Sequence, residues 1–590
     1  MSASNLPPES SGLVDPLVPL RARVQAAVRA AFGDEGVDAD AMLHRSAHAD
    51  YQADVALALA KRLKRNPRDV AGAIAAALPT DQVIAAAAVS GPGFINLTLQ
   101  PDFLAGELQR MLADARLGSP AAAQPQTVVV DYSAPNVAKE MHVGHLRPTI
   151  IGDALVRLLE FQGHRVIRQN HIGDWGTPFG MLIEHLLDES SAHAESSVQQ
   201  LNEFYRAARA KFDSDPTFAD RARRRVVLLQ GGDAETLALW RRLIEVSIQH
   251  FSTLYQRLDV TLRPDHVAGE SHYNDDLSAV VQDLMDRGLA RESAGAICVF
   301  PPGFTGRDNE PLPLIVRKQD GGYGYATTDL AALRYRVKTL GAQRVIYVVG
   351  APQTQHLAMV FAAGRMAGWA GEGVRLEHVA FGSILGPDKK MLKSRSGEAL
   401  TLVALVDEGI ERASAAVKAK TTDLDAAAQQ QIAEMIGVGA IKYADLSNDR
   451  IKDYVFDWNR MLAFDGNTAP YLMYAHARIK SILRKGQVSE ADVPALISKL
   501  EVREPEERAL ALQLLSFPVV VEKTGETLQP HRLCGHLYDL AQSFTAFFEK
   551  CPVLKSEEPI RSSRLALIAV TARVLAQGLH LLGIRAPEQM

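Results

Sequence analysis

The sequence predicts an α/β protein: a parallel-sheet domain, with a small α/β unit before it and an α-helical bundle after it. Three observations carry this. Residues 127–176 read as strand, helix, strand, the unit from which parallel sheets are built. Further strand-like runs follow at 296–300, 314–317, 344–349 and 377–384. Beyond about residue 436 the strand signals cease and apolar-periodic helices follow one another, as in a bundle.

Taken in order, residues 1–15 have the composition of a disordered start. Residues 17–32 carry spaced apolar and Arg residues, as an amphipathic helix does, and 51–65 read the same way. Strands are expected at 83–89 and 93–99, around a Gly-Pro-Gly turn. This first unit closes near residue 120, in the linker-like GSPAAAQPQ of 118–126. The sheet domain is expected over 121–435. A charged helical insertion at about 187–257, containing the run Arg221-Ala-Arg-Arg-Arg225, interrupts it. Residues 436–590 form the bundle.

The 590 residues are 47% hydrophobic and 23% charged, ordinary for a globular protein with several cores. The 64 basic and 69 acidic residues leave a formal charge of −5. That excludes a general polyanion binder, so any nucleic acid must be held on local basic faces. Cys298, Cys534 and Cys551 form no Cys-x-x-Cys, which argues against zinc ribbons, redox pairs and a structural metal. The start MSASNLPPESSG has no basic-plus-apolar leader, and the Ala-rich stretch 70–89 is broken at Pro79. A cytoplasmic protein with no membrane span is expected.

The chemistry centres on 127–176. An apolar, β-branched run from Thr127 to Val130 reads as a buried parallel strand, and the turn residues Ser133, Pro135 and Asn136 follow it. Then come His142-Val143-Gly144-His145 and about five turns of apolar-periodic helix to Phe161. In open parallel sheets ligands sit beyond the carboxyl ends of strands, where free N–H groups at helix N-termini favour phosphate. Gly144 lets a ligand approach the backbone, and two imidazoles three residues apart can reach one polyphosphate. By composition alone, a chance His-x-Gly-His is expected roughly 0.03–0.04 times in such a chain, so the context must carry the reading.

A second basic motif, Lys389-Lys390-Met391-Leu392-Lys393-Ser394-Arg395-Ser396-Gly397, suits a loop that clamps a triphosphate. Alone it reads more readily as a solvated basic turn. Together the two motifs resemble the HIGH and KMSKS signatures of the class I aminoacyl-tRNA synthetases. Within that class the chain resembles the bacterial arginyl-tRNA synthetases, and the resemblance extends over nearly all of it. The blocks that carry this are Ser133-Ala-Pro-Asn136-Val-Ala-Lys139, His171-Ile-Gly-Asp-Trp-Gly176, Gly269-Glu270-Ser271 and Asp320-Gly-Gly-Tyr-Gly-Tyr325-Ala-Thr-Thr-Asp329. Tyr443-Ala-Asp-Leu446, Asp457-Trp458 and Asn467-Thr-Ala-Pro-Tyr-Leu-Met-Tyr474 agree.

The resemblance implies a Rossmann-like catalytic domain and an arginine–tRNA ligase. ATP and Mg²⁺, L-arginine and tRNA(Arg) are its implied partners, and a monomer its implied state. It places Glu270, Tyr325 and Asp329 around the guanidinium, and Asp131, Asn136 and Gln353 around the α-amino and carboxylate ends. Carboxylates suit the planar cationic fork of arginine. The alternatives are that Asp329 caps a helix starting at Leu330 and that Glu270 is a surface charge. His142, Gly144 and His145 would hold ATP phosphates, with Lys139, Lys390, Lys393 and Arg395 as added positive charge. His356 is a further candidate on the nucleotide side. The second motif departs from the family pattern: Lys390-Met-Leu-Lys-Ser394 matches with one substitution, whereas counting back from Gly397 aligns Met391-Leu-Lys-Ser-Arg395. The register is therefore open.

For tRNA, Tyr471, Tyr474, Arg478 and Arg484 combine aromatic and basic groups suited to unpaired bases, with Met590 nearby in the family. The alternative for each tyrosine is bundle packing. In the family the N-terminal unit touches the tRNA elbow, for which Lys61, Arg62, Lys64 and Arg65 are candidates. Two rivals remain at this stage. A small-molecule nucleotidyltransferase shares the His-x-Gly-His site but needs no long helical bundle. A non-catalytic RNA-binding paralogue would not be expected to keep His142, His145, Asn136 and Asp329 together.

Overall fold

The computed structural model describes residues 14–33, 38–137, 139–188, 198–306, 309–392, 400–420 and 424–590. The disorder expected at residues 1–15 lies, up to residue 13, outside them.

The first unit is a four-stranded antiparallel sheet in the order Leu43–Arg45, Tyr51–Ala53, Phe94–Leu99, Ile84–Ser90, covered by helices. The helix Leu17–Phe32 stands where its periodicity placed it. The helix expected from residue 51 does not start there. Tyr51 and Ala53 are buried with Gln52 between them, and all three pair with Leu97, Asn96 and Ile95, so the helix begins at Val55. This unit docks on the C-terminal bundle. Arg508 of the helix Pro505–Leu515 ion-pairs with the buried Asp50 and donates to the Leu99 carbonyl at 2.6 Å.

The sheet that organises the site has four parallel strands in the order Arg375–His378, Arg344–Tyr347, Thr127–Asp131, Arg165–Gln169. Its central valines divide by strand periodicity: Val128 and Val130 join the large core on one face, and Val129 packs with Val345, Tyr347 and Leu357 on the other. The register puts Asp131 beside both Tyr347 and Gln169, and Tyr347 beside His378, so the four carboxyl ends lie in line. From Thr127–Asp131 the chain crosses to Arg165–Gln169 on one side and later returns to Arg344–Tyr347 on the other. The crevice between those crossovers is where open α/β sheets bind ligands.

The strands expected at 296–300 and 314–317 do not extend this sheet. Ala290–Ser293, Ala296–Val299 and Leu314–Arg317 form a separate three-stranded antiparallel sheet. The two-residue turn Ala294-Gly295, both residues at positive φ, joins its first two strands, and so tight a connection permits only antiparallel pairing. The helical insertion begins earlier than expected, at Thr177, and runs through Val198–Ser214, Pro216–Gln230 and Ala234–Arg257. The C-terminal helices likewise start before residue 436: Leu402–Lys420 and Ala426–Leu446 lead into the bundle. One short strand was missed among them, Tyr454–Val455, which pairs in parallel with Ile384–Leu385. The last helix, Ile560–Leu581, is long and apolar enough to cross a membrane, but 78% of its most apolar window is buried inside the structure.

Candidate active site

Beyond Asp131 the chain turns through Ser133 (φ 73°) and Ala134 (φ 46°), left-handed conformations that cost a non-glycine residue about 1–3 kcal/mol each. A buried polar network holds them there. The Asn170 side chain accepts from the Ala134 N–H at 3.0 Å and donates to the Tyr255 hydroxyl at 3.0 Å; that hydroxyl lies 2.7 Å from Ser133 Oγ. Thr149 Oγ1 lies 2.8 Å from Ser133 Oγ. Asn136 then lies across Gly173, where a Cβ would come within 2.3 Å of Asn136 Oδ1. Gly173 is therefore required for the Asn136 side chain to lie where it does.

His142 to His145 form a tight 3₁₀ turn that opens the helix Leu146–Phe161. The two rings are 4.1 Å apart. His142 Nδ1 accepts the Gly144 N–H at 3.1 Å, and His145 Nδ1 accepts the His142 N–H at 3.2 Å. Burial, and then the nearby Lys139 charge, lowers the His142 pKa. Burial, and then His142, lowers His145 to about 4. Both rings are thus neutral near pH 7. With Nδ1 accepting, the proton of each sits on Nε2, free to donate to an anion. Gly144 makes the turn possible, since a Cβ there would lie 2.8 Å from the His142 ring.

The second motif is brought to the first by main-chain pairing. Val143 N–H donates to the Leu400 carbonyl at 2.9 Å and Leu402 N–H to the Met141 carbonyl at 2.8 Å, so the segment after the motif flanks the histidine turn. On its other side, Ile384 to Leu392 form a hairpin whose tip exposes Lys389 and Lys390. Lys393 and Arg395 lie outside the described residues, and so does the register of the motif. Lys139 is exposed, with its ammonium 4.7 Å from the Tyr205 ring of the insertion.

On the other side of the crevice three carboxylates gather. Asp174 is buried and accepts from Ser271 N–H at 2.8 Å and Ser271 Oγ at 2.6 Å; burial raises its pKa. The Glu270 pKa is raised to about 7, first by burial, then by the charges of Asp174 and Asp329. Among the described residues no ion pair neutralises Glu270. Asp329 is on the first turns of the helix Tyr325–Lys338, beyond its start, so it does not cap a helix at Leu330. Tyr325 is 77% exposed at that start, and Gln353 is exposed on the turn Ala351–Gln353.

Two of the expected site residues have contacts that the sequence did not foretell. His356 is in contact with Asp329, Nε2 to Oδ2 at 2.6 Å, and that bond raises its pKa. The ring therefore stands beside the carboxylate cluster. Tyr471 packs inside the bundle: its hydroxyl is 3.2 Å from Thr545 Oγ1 and its ring meets Tyr538 edge-on. Tyr474, three residues on, is 44% exposed and lines a cavity with Phe464, Ile436 and Met590. The Arg478 guanidinium sits 4.2 Å over the Phe548 ring, and exposed Arg484 donates to the Glu588 carbonyl at 3.0 Å.

Asp131 is buried with one oxygen 2.8 Å from Arg336 Nη2, while its Oδ1 has no hydrogen-bond partner. Arg336 was not foreseen. It is fully buried, donates from Nε to Gln169 Oε1 at 2.6 Å and stacks 4.8 Å over Tyr347, joining the ends of three strands. Asp174 was visible only as part of a motif block, with nothing in its spacing to mark its role.

Comparison with known proteins agrees along the chain. Residues 107–458 match the model of the class I (R) tRNA synthetase catalytic domain, 472–590 the DALR anticodon binding domain, and 19–99 the arginyl tRNA synthetase N terminal domain. An arginine–tRNA ligase of Thermobifida fusca is 59% identical, over 98% of this chain and 100% of its own. The arginyl-tRNA synthetase structure of Plasmodium falciparum superposes with a TM-score of 0.82 at 30% identity, covering 98% of this chain and 100% of its own. That of Thermus thermophilus gives 0.78 at 26% identity, covering 97% and 100%.

Proposed function

The chain belongs to the class I arginyl-tRNA synthetases, and from that premise we propose how its residues divide the work of an arginine–tRNA ligase. In the reaction, one carboxylate oxygen of arginine attacks the α-phosphorus of ATP and pyrophosphate leaves. A hydroxyl of the tRNA 3′-terminal ribose then attacks the arginyl carbonyl, and AMP leaves.

The guanidinium enters among Glu270, Asp329 and Tyr325, with Asp174 fixing the Glu270 segment through Ser271. The observation that carries this is the carboxylate cluster itself, three acidic side chains against the one His356 ring, with Glu270 in no ion pair among the described residues. Asn136 and Gln353, with the free Oδ1 of Asp131, hold the α-amino and carboxylate ends across the crevice. Nε2 of His142 and of His145 donates to the phosphates, and Gly144 keeps the backbone close to them. Lys139 adds charge once it leaves Tyr205, and Lys390, Lys393 and Arg395 close over the triphosphate from the second motif. Mg²⁺ accompanies ATP, whose phosphates with water supply most of the ligands of such an ion. The enzyme works as a cytoplasmic monomer.

The pocket predicts a pH dependence. Glu270 is protonated below about 7 and charged above it, and only the charged form attracts arginine. KM for arginine should therefore rise as pH falls from about 8 to 6 and level off above 8. Glu270→Gln should raise KM and flatten that dependence to what His356 beside Asp329 contributes. Steady-state kinetics at saturating ATP tests it, and a flat KM in the unmodified enzyme would refute the assignment.

Tyr474, with Met590 and Arg478, offers a stacking surface for an unpaired tRNA base. Tyr474→Ala should weaken tRNA binding by roughly 1–3 kcal/mol, leaving the slope of log K against log salt nearly unchanged. Arg484→Ala should instead flatten that slope. Filter binding across a salt series distinguishes them. Intact tRNA affinity in Tyr474→Ala would return that side chain to bundle packing.

A further inference from the structure

Arg147 lies two residues after His145 and is turned away from the crevice. With Asp445 it forms an ion pair between side chains 1% and 0% exposed, Nε to Oδ2 at 3.1 Å. Its Nη1 donates to the Lys452 carbonyl at 3.1 Å, and the rings of Phe381 and Tyr454 flank it at 5.9 and 5.4 Å.

Each neighbour leads to a different part of the site. The Phe381 carbonyl accepts the Ala351 N–H at 3.0 Å, at the head of the turn that carries Gln353. Tyr454 belongs to the strand that pairs with Ile384–Leu385, the root of the hairpin bearing Lys390. Asp445 is on Ala426–Leu446, a helix that also packs against Leu146–Phe161. One guanidinium thus joins the histidine turn, the Gln353 turn and the Lys390 hairpin.

Stability does not account for this pair. Burial raises the Asp445 pKa, so the carboxylate is held charged at a cost. Well-packed apolar residues in place of a buried ion pair are often as stable or more so. An ion pair differs from them in being directional. We propose that Arg147 is a positioning residue for adenylate formation, setting the histidine turn against the Lys390 hairpin and the Gln353 turn. This rests on the reading that those histidines and Lys390 face ATP.

The test is the double variant Arg147→Met/Asp445→Leu, with His145→Ala measured beside it in arginine-dependent pyrophosphate exchange with tRNA present. The expected result is a cooperative melt close to that of the unmodified enzyme and a kcat at least tenfold lower, with a smaller rise in KM for arginine through the Gln353 turn. A kcat within twofold of normal in the folded double variant overturns the proposal, as does a loss confined to arginine KM. A normal kcat in His145→Ala would instead sink the phosphate-site reading beneath it. If the double variant fails to melt cooperatively, Arg147→Lys decides, since lysine keeps the charge but cannot serve Asp445 and the Lys452 carbonyl with a fork. A threefold or larger fall in kcat that exceeds any rise in arginine KM supports the proposal, and an unmodified kcat overturns it.

Discussion

His145→Ala is expected to lower kcat for adenylate formation by about 10²–10³, the usual cost of losing one preorganised donor to a developing oxyanion. The structure supplies the preorganisation. His145 is neutral, its Nδ1 is occupied by the His142 N–H, and its ring is held 4.1 Å from that of His142. Nε2 is therefore set as a donor before ATP arrives, with no proton to lose and no rotamer to select. Because its pKa is near 4, this contribution should not titrate between about pH 6 and 9. Single-turnover adenylate formation measures the effect. An equal loss of arginine affinity with kcat intact would move His145 to the amino-acid pocket.

Asp329→Ala is the second large expectation: KM for arginine should rise by roughly 30- to 1000-fold, about 2–4 kcal/mol, while KM for ATP stays within about threefold. Removing one partner of a charge-assisted pair in a partly desolvated site leaves the guanidinium underpaired. It also strips His356 of the carboxylate that raises its pKa, so the ring falls back toward its neutral form. Steady-state KM for both substrates measures this, with a melting curve to confirm folding. An arginine KM unchanged within about twofold would refute the assignment.

How much was legible before the fold was known depended on how local the signal was. The strand Thr127–Asp131, the His-x-Gly-His turn and the helix to Phe161 are contiguous, and their β-branched run, turn residues and apolar spacing each pointed the same way. Tyr51–Ala53 was hidden because a three-residue strand has no periodicity of its own; Phe94–Leu99 specifies it. Arg336 and Gln169 are 167 residues apart, and no pattern near either one reports the other. The pairing of His356 with Asp329 depends on two helices from separate crossovers meeting at the crevice. Tyr471 and Tyr474 share one basic amphipathic helix. Only the opposing helix, through Thr545 and Tyr538, makes one a packing residue and leaves the other exposed.

The proposed function turns on the carboxylates of this crevice reading the charge and the planar fork of arginine. Pyrophosphate exchange with arginine, lysine and citrulline, in the presence of ATP and tRNA, tests it most directly. Citrulline keeps the length and planarity of arginine but is neutral, and lysine keeps the charge without the fork. kcat/KM for arginine should exceed that for either by about 10⁴, as expected where buried polar groups would be left unpaired. Citrulline or lysine within about tenfold of arginine would contradict it.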